Sequence, residues 1–483
     1  MLWHIVKREL FEQVNSLRFA LAMLLTVFLM LVNAVGHIDE YKTQQSEYGQ
    51  QVSAYSASLE QNSSNLYKLV LDGPGELHKK PSSLAFCAHG SENNLPKFAS
   101  GKRAGWGWNA DIIDGNTYNV SGIWRLKYSG FPPIKAKDMF PVFLKIDWIL
   151  IISNVLSFLA LVFTFDAISG EVEHGTLRLT LSNAVARRTV LTGKFLSCLI
   201  SLGTVFMSGV LVNLLLLYLS GTLQLNPQEW SRIGGIFVVG LMYIAVFIAL
   251  GFLISTLVNN ASTSLVILLL IWVIWVILVP SMLGTVMSGL NQPSIRRGPS
   301  PVYFRRSGLQ ERYIARGLED EAPTRERPPT PATLLWAEFL NAEAREGARL
   351  HRVYLNAQID QIQIAREFNR ISPTAIVQYA IESLAGTGFQ RHLNFLENVE
   401  RYADVFNDFL ISADRSDPDS PHVPFVREGM SAKPVSFESI PKFQDNVRLG
   451  DAFKGAILDV ILLLLFFVVL FATAHISFQR KEI

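Results

Sequence analysis

Apolar and polar residues along this chain sort into long blocks rather than short alternations, and the blocks define its architecture. A bilayer span needs roughly 20 apolar residues. Six segments meet that requirement: 19–36, 146–165, 195–219, 233–257, 262–288 and 455–476. Pro280 is expected to kink or end the fifth near its outer face. Before the first span, Ile5, Leu10, Phe11, Val14 and Leu17 recur at helical spacing, with Lys7, Arg8, Glu9 and Glu12 on the other side. Residues 1–18 therefore read as a helix lying on the membrane surface, or else as a frayed tail. The predicted fold class is an all-α polytopic membrane protein, with six transmembrane helices behind an N-terminal interfacial helix.

The polar blocks differ greatly in length. Residues 220–232 and 258–261 are short connections, and 477–483 is a tail. Two blocks are large enough to be domains, 37–145 and 289–454. The first opens with a heptad-like stripe of Tyr41, Tyr48 and Tyr55 beside Val52, Leu59 and Leu66. Such a stripe predicts a helix rising from span 1 and packing on its own domain or on a partner coil. The rest of the block, rich in Gly, Asn and Pro, reads as a small mixed or loop-rich domain. Trp106, Trp108 and Trp124 either form its core or line a ligand surface. In the second block, 291–331 is Pro/Arg-rich and aperiodic, which predicts an extended or partly disordered linker. Helices are then expected over 332–370, from Ser372-Pro373 to Gly386, and through Leu393, Leu396, Val399, Tyr402, Phe406 and Phe409, giving a mainly helical outer domain. Residues 414–443 read as loop.

Orientation follows from the basic residues flanking the spans. Lys7, Arg8 and Arg18, then Arg178, Arg187, Arg188 and Lys194, then Arg480 and Lys481 all fall on one side. That side is predicted to be cytoplasmic, with both termini inside and the two large blocks extracytoplasmic. Long loops are exempt from this rule, so the eight arginines of 296–327 do not oppose it. Composition agrees with the pattern. Of 483 residues 49% are hydrophobic and 17% charged, which excludes an ordinary soluble enzyme. A net charge of +2 gives no reason to expect nucleic acid as a partner. Of the two cysteines, Cys198 falls in a span and Cys87 in an exported block, so no intrachain disulfide is expected.

Catalytic motifs are absent from the sequence. It has no phosphate-binding Gly-x-x-x-x-Gly-Lys-Ser/Thr loop, no Gly-x-Ser-x-Gly elbow and no His-Glu-x-x-His. Cys87-x-His89 with His78 is the nearest approach to a metal cluster, at a spacing that fits no common site. Charges that would flag an ion path, Lys145, Asp147 and Asp459, are expected near the outer interface within reach of water.

What remains is the polar segment 166–194 between spans 2 and 3. Asp166 and Ser169-Gly170 mark a break at the end of span 2, and Glu171 and Glu173 place negative charge at the start of the next helical piece. Gly175-Thr176-Leu177 restarts an amphipathic helix, and Arg187, Arg188 and Lys194 are expected to face an anionic leaflet. On physics alone this is either a plain interfacial hairpin or a docking site for a soluble partner.

At these residues the chain resembles the permease subunits of ABC-2 type ABC transporters. Their pattern D-x-x-x-G-E-x-E-x-G-T-L-R is matched by Asp166, Gly170, Glu171, Glu173, Gly175, Thr176, Leu177 and Arg178. Ser182-Asn183, the Arg187-Arg188 pair and Gly193-Lys194 continue the likeness, which extends through spans 2 to 5 as far as Val279-Pro280. The two outer insertions, with Ser372-Pro373 and the run from Leu384 to Gly388, are similar to one subgroup of these permeases. The resemblance implies a non-catalytic subunit in a bacterial inner membrane, without a cofactor of its own, paired with a second permease that is a copy or a paralogue. ATP and Mg would be bound by separate ATPase subunits. The loop after span 2 would be the coupling helix, with Glu171, Glu173 and Arg178 as polar contacts. Closure of the ATPase dimer would tilt spans 2 and 5. Two functions fit: an exporter, or a mechanotransmission subunit that passes ATPase motion to its outer domains or to a partner protein there. A membrane-bound enzyme has no motif behind it.

Overall fold

The computed structural model describes residues 2–89, 97–102, 117–121, 124–128, 146–182, 186–222, 225–280, 301–318, 330–423, 429–446 and 449–481. Among the described residues six helices are long and apolar enough to cross a membrane, so the chain is an all-α polytopic membrane protein. They are Leu17–Asn62, Trp148–Glu173, Arg187–Leu219, Pro227–Leu257, Ala261–Leu278 and Ala452–Arg480, called spans 1 to 6 here. Six crossings put both termini on one face, the terminal face; the large domains lie on the other, the distal face. Span 4 is central, with 72% of its most apolar window buried, whereas spans 5 and 6 have only 17% buried and lie at the edge. The entry helix Leu2–Val14 packs along span 3, with Phe11 and Trp3 exposed as an interfacial helix requires.

Span 1 does not stop at the membrane. Its helix continues unbroken for 46 residues, about 70 Å at 1.5 Å per residue. Near its exit, Asn33 donates to the Phe86 and Ile146 carbonyls (3.1 and 2.7 Å), and Asn213 of span 3 donates to Met30 O and Asn33 Oδ1 (2.7 and 2.8 Å). These amides fix spans 1 to 3 to one another where apolar packing alone would let them slide. At the far tip the tyrosine stripe turns inward. Tyr55 meets the Tyr402 hydroxyl at 2.8 Å, and Leu59 and Leu66 are buried in a distal core with Phe395, Val399 and Phe406. Val52 stays 40% exposed. That core belongs to the domain helix Gly388–Arg415 and to the loop beyond it.

The first distal block carries a four-stranded antiparallel sheet, Gly75–His78, Phe98–Lys102, Thr117–Ser121 and Trp124–Tyr128, in the order first, second, fourth, third. Trp106 and Trp108 lie outside the described residues. The linker expected to be extended contains a helix, Pro301–Ile314, whose Tyr313 packs on Phe339 of the long helix Pro331–Asn369.

The second block departs most from expectation. The helix Pro373–Ala385, expected in a separate outer domain, is inserted among the spans and packs on spans 4 and 6. Ile376, Val377, Ala380, Ile381 and Leu384 join the membrane core. Its N-terminal end lies deep: Thr374 Oγ1 meets Tyr243 OH, midway along span 4, at 3.0 Å, and Ser372 Oγ donates to Trp275 O of span 5 at 2.6 Å. The long helix and this insert helix therefore form a hairpin entering the bundle from the distal face. Arg370, at its bend, clasps Asp459 of span 6 through Nε and Nη2 (2.7 and 3.3 Å). Asp459 is fully buried, not water-facing as its place in the sequence predicts. Span 6 begins earlier than its apolar run and carries Asp459 well inside. Asp147 is likewise buried and caps span 2, accepting from Leu150 N at 2.8 Å.

Spans 2 and 5 each contain a π-helical stretch, Ile151–Leu156 and Val273–Leu278. The second lies just before Pro280, whose ring would clash with the carbonyl four residues back in a regular α-helix, so a wider turn relieves the conflict. Carbonyls in both stretches accept bonds from neighbours: Ser153 O from Tyr243 (3.0 Å) and Trp275 O from Ser372. Trp272 Nε1 donates to Ser157 Oγ at 2.8 Å and joins the two spans at this level.

Candidate functional site

The segment between spans 2 and 3 folds as two short helices, Ser169–Glu173 and Thr176–Ser182, hinged at Gly175. Gly175 has φ +72° with open space around it, so backbone conformation and not crowding calls for glycine there. At Gly170 the demand is space: an added Cβ would lie 3.3 Å from Asp166 Cβ. Ser255 of span 4 holds the first short helix, its Oγ accepting from Ile168 N and Ser169 N at 3.0 and 2.9 Å.

Each acidic residue of the segment has a separate internal tie. Asp166 pairs with Arg18 at the start of span 1 (2.8 Å), and that guanidinium also lies over the Phe165 ring. Glu171 pairs with Lys194 of span 3 (2.9 Å), and Lys194 pairs equally with Glu9 of the entry helix (2.9 Å). Glu173 accepts from Ala261 N (3.0 Å) and so places a negative charge on the N-terminus of span 5. Leu177 is fully buried and seats the second short helix, while Thr176 and Arg178 are exposed.

Two of these ties correct the sequence reading. Lys194 does not face a lipid leaflet: its side chain is 8% exposed, and it is the centre of a three-element ion cluster. Arg187 turns inward as well and donates to the Phe478, Gln479 and Lys481 carbonyls at 3.4, 3.0 and 2.8 Å, where span 6 ends. Lys481 in turn donates to Thr256 O and Val258 O (2.9 and 2.8 Å), where span 4 ends. Cations on helix C-termini satisfy orphan carbonyls and oppose the negative end of the dipole. Of the basic pair, only Arg188 is exposed.

Sequence reasoning missed the entry helix as part of this site. Gln13 donates to Cys198 Sγ at 3.1 Å and accepts from Ser201 Oγ at 2.7 Å, and an added Cβ on Gly193 would lie 2.9 Å from Ile5 Cγ2. The helix lies this close because Gly193 has no side chain. A signal was present: Glu9 and Gln13 are four apart, on one face, opposite a lysine set into an apolar run.

These acidic residues and Ser255 combine spans 1 to 5 and the entry helix into one unit, from which an exposed run, Glu173 to Thr176 with Arg178, projects. Elsewhere, Cys87 is buried with its carbonyl accepting from Ile149 N of span 2 at 3.3 Å, His89 lies 3.6 Å from Glu40 of span 1, and His78 pairs with Glu76 on the sheet. The three residues of the sequence cluster thus have different surroundings.

No curated protein matches the chain. Residues 3–483, nearly the whole length, match the family described as ABC-2 family transporter protein. The chain therefore belongs to that family, as a membrane-spanning permease subunit of an ABC transporter.

Proposed function

We propose that the chain is the permease half of an exporter in a bacterial cytoplasmic membrane, with its terminal face inside, and that a separate ATPase subunit docks on residues 166–182. The observation that carries this reading is the exposed run Glu173 to Thr176, with Arg178, on a base tied to spans 1, 3, 4 and 5. A push there reaches several spans at once. ATP and Mg bind in the ATPase, and a second permease, a copy or a paralogue, completes the pore. Arg178 is exposed on this base and is the charge offered to the ATPase; charged contacts of this kind fix register and partner choice. Glu171 acts from behind, through Lys194.

The test is affinity capture of the tagged full chain from native membrane in mild detergent. The ATPase is expected in near-equal amount, and Arg178→Glu should lose it while six-span insertion persists. Undiminished recovery with Arg178→Glu would overturn the docking assignment. Reversing Glu171 is a poorer probe, because it also unbalances Lys194.

A second reading, transmission of ATPase motion to the distal domain, draws support from span 1, one helix from the entry helix to the distal core. Under that reading, an ATP analogue added to the complex should change amide exchange in Gly388–Arg415. Under pure export, exchange there should stay constant while the spans respond.

A further inference from the structure

We infer that the terminal half of the bundle holds an anionic phospholipid, with its phosphate on Arg188 and the first part of an acyl chain between spans 3 and 6. A cavity of about 510 Å³ opens on the membrane-facing surface there. One wall is Phe467, Phe471 and Ala472 of span 6, the other Thr192 of span 3, and Leu2 of the entry helix closes one side. Arg188 and His475 stand at its rim. The aromatic wall is fixed in place: Phe467 and Phe471 stack at 5.6 Å, and Phe471 meets Phe195 of span 3 edge-on at 4.8 Å.

Depth identifies the ligand class. Arg188 is the second residue of span 3, and the entry helix beside it carries the exposed Trp3 and Phe11 of an interfacial helix. The rim is thus at headgroup level. From His475 to Phe467 is eight residues, about 12 Å of helix rise, against about 15 Å for the hydrocarbon of one leaflet. The groove therefore fits the upper part of one acyl chain.

Charge points the same way. Arg188 is exposed and makes no ion pair among the described residues, unlike Arg187, Lys194 and Lys481 around it. The acidic side chains described near this face are already engaged: Glu9 and Glu171 with Lys194, Glu12 with Arg8, Asp166 with Arg18, Glu173 with Ala261 N. The anion for Arg188 comes from outside this set, and at this depth a lipid phosphate supplies it. Thr192 and His475, which bonds Gln479 at 2.9 Å, add polar groups where a glycerol ester would lie.

The test reconstitutes the full chain in phosphatidylcholine vesicles with a trace of phosphatidylglycerol carrying a diazirine early in its acyl chain. Photolabelled peptides are mapped, and diazirine-phosphatidylcholine serves as reference. Labelling around 192–195 and 467–472 is expected to favour phosphatidylglycerol by about fivefold, the effect of one cation near a headgroup. Arg188→Gln should reduce it to the phosphatidylcholine level, and Ala472→Trp, which fills the groove, should remove both. Excess inorganic phosphate should leave the labelling unchanged. Equal labelling by the two lipids, or a preference that survives Arg188→Gln, would mark a plain lipid-facing surface and overturn the assignment. Failure of both lipids to label, with Ala472→Cys giving a disulfide-linked dimer, would overturn it in favour of a contact between copies.

Discussion

Two helical hairpins meet the bundle from opposite faces, and they are held in opposite ways. On the terminal face, Ser169–Glu173 and Thr176–Ser182 hang from point attachments: a serine hydroxyl, two ion pairs and a cap, with Ile168 and Leu177 buried among the described side chains. On the distal face, Pro373–Ala385 is buried along its whole length and clasped at the bend of its hairpin by Arg370–Asp459. Polar ties are directional and few, so the first hairpin can move as a unit and carry its neighbours. Apolar burial is non-directional and extensive, so the second resists displacement. The input face is thus built as a linkage, and the opposite face as a seated plug.

The comparison breaks most severely at Lys194. Lys194→Met leaves Glu9 and Glu171 together without a cation, and removing one partner of a buried pair costs about 3–5 kcal/mol. Thermal unfolding of the purified chain should show the loss, and replacing Glu9 and Glu171 by Gln in the same protein should restore most of it. If Lys194→Met is as stable as wild type, the cluster does not hold the linkage. On the plug side, Arg370→Met strands Asp459. The expected cost is about 3 kcal/mol, at the low end because the arginine keeps some access to water, and the pair Arg370→Met with Asp459→Leu should recover it. A persisting deficit in the double variant would mean that the ion pair does more than compensate its own burial.

Smaller effects sharpen the contrast. Glu173→Ala removes the cap on span 5 and should cost about 1 kcal/mol, seen as faster amide exchange confined to the first turn of Ala261–Trp272. Exchange that rises across the whole span would contradict a point attachment. The last effect is absent at neutral pH. Burial, with Lys79 and Arg391 nearby, holds His392 of the distal domain down at about 3 from its usual 6.5. The unfolded chain then binds a proton below about 6.5 that the folded domain refuses, so stability falls as pH drops from there towards 3. A His392→Gln variant should flatten that slope in pH-dependent melting, and an unaltered slope would assign it to other groups.

The six spans were legible in the sequence because each is a long apolar run, and hydropathy needs no partner to be read. The residues of 166–194 were legible as a pattern, yet their roles were not. Glu171 and Lys194 are far apart in the chain's local logic, and a lone lysine in an apolar segment reads as snorkelling until a carboxylate is placed beside it. The insert helix was predicted as a helix from Ser372-Pro373 to Gly386, and its caps are where expected. Its burial was hidden because 13 residues are too few to signal a span and look like one face of a soluble domain. The strands of the first distal block are only four or five residues long, too short for alternation to stand out.

The widened turn in span 2 constrains how this protein can change. One surplus residue in a helical turn rotates everything beyond it by about 100° relative to a regular helix. The face of span 2 that meets Tyr243 and the face that delivers Asp166 to Arg18 are therefore registered to each other through Ile151–Leu156. Deleting a single residue there would barely alter the length or hydropathy of the span, and it would swing the terminal hairpin to the wrong side of the bundle. Point substitution is open to this helix; insertion and deletion are closed to it.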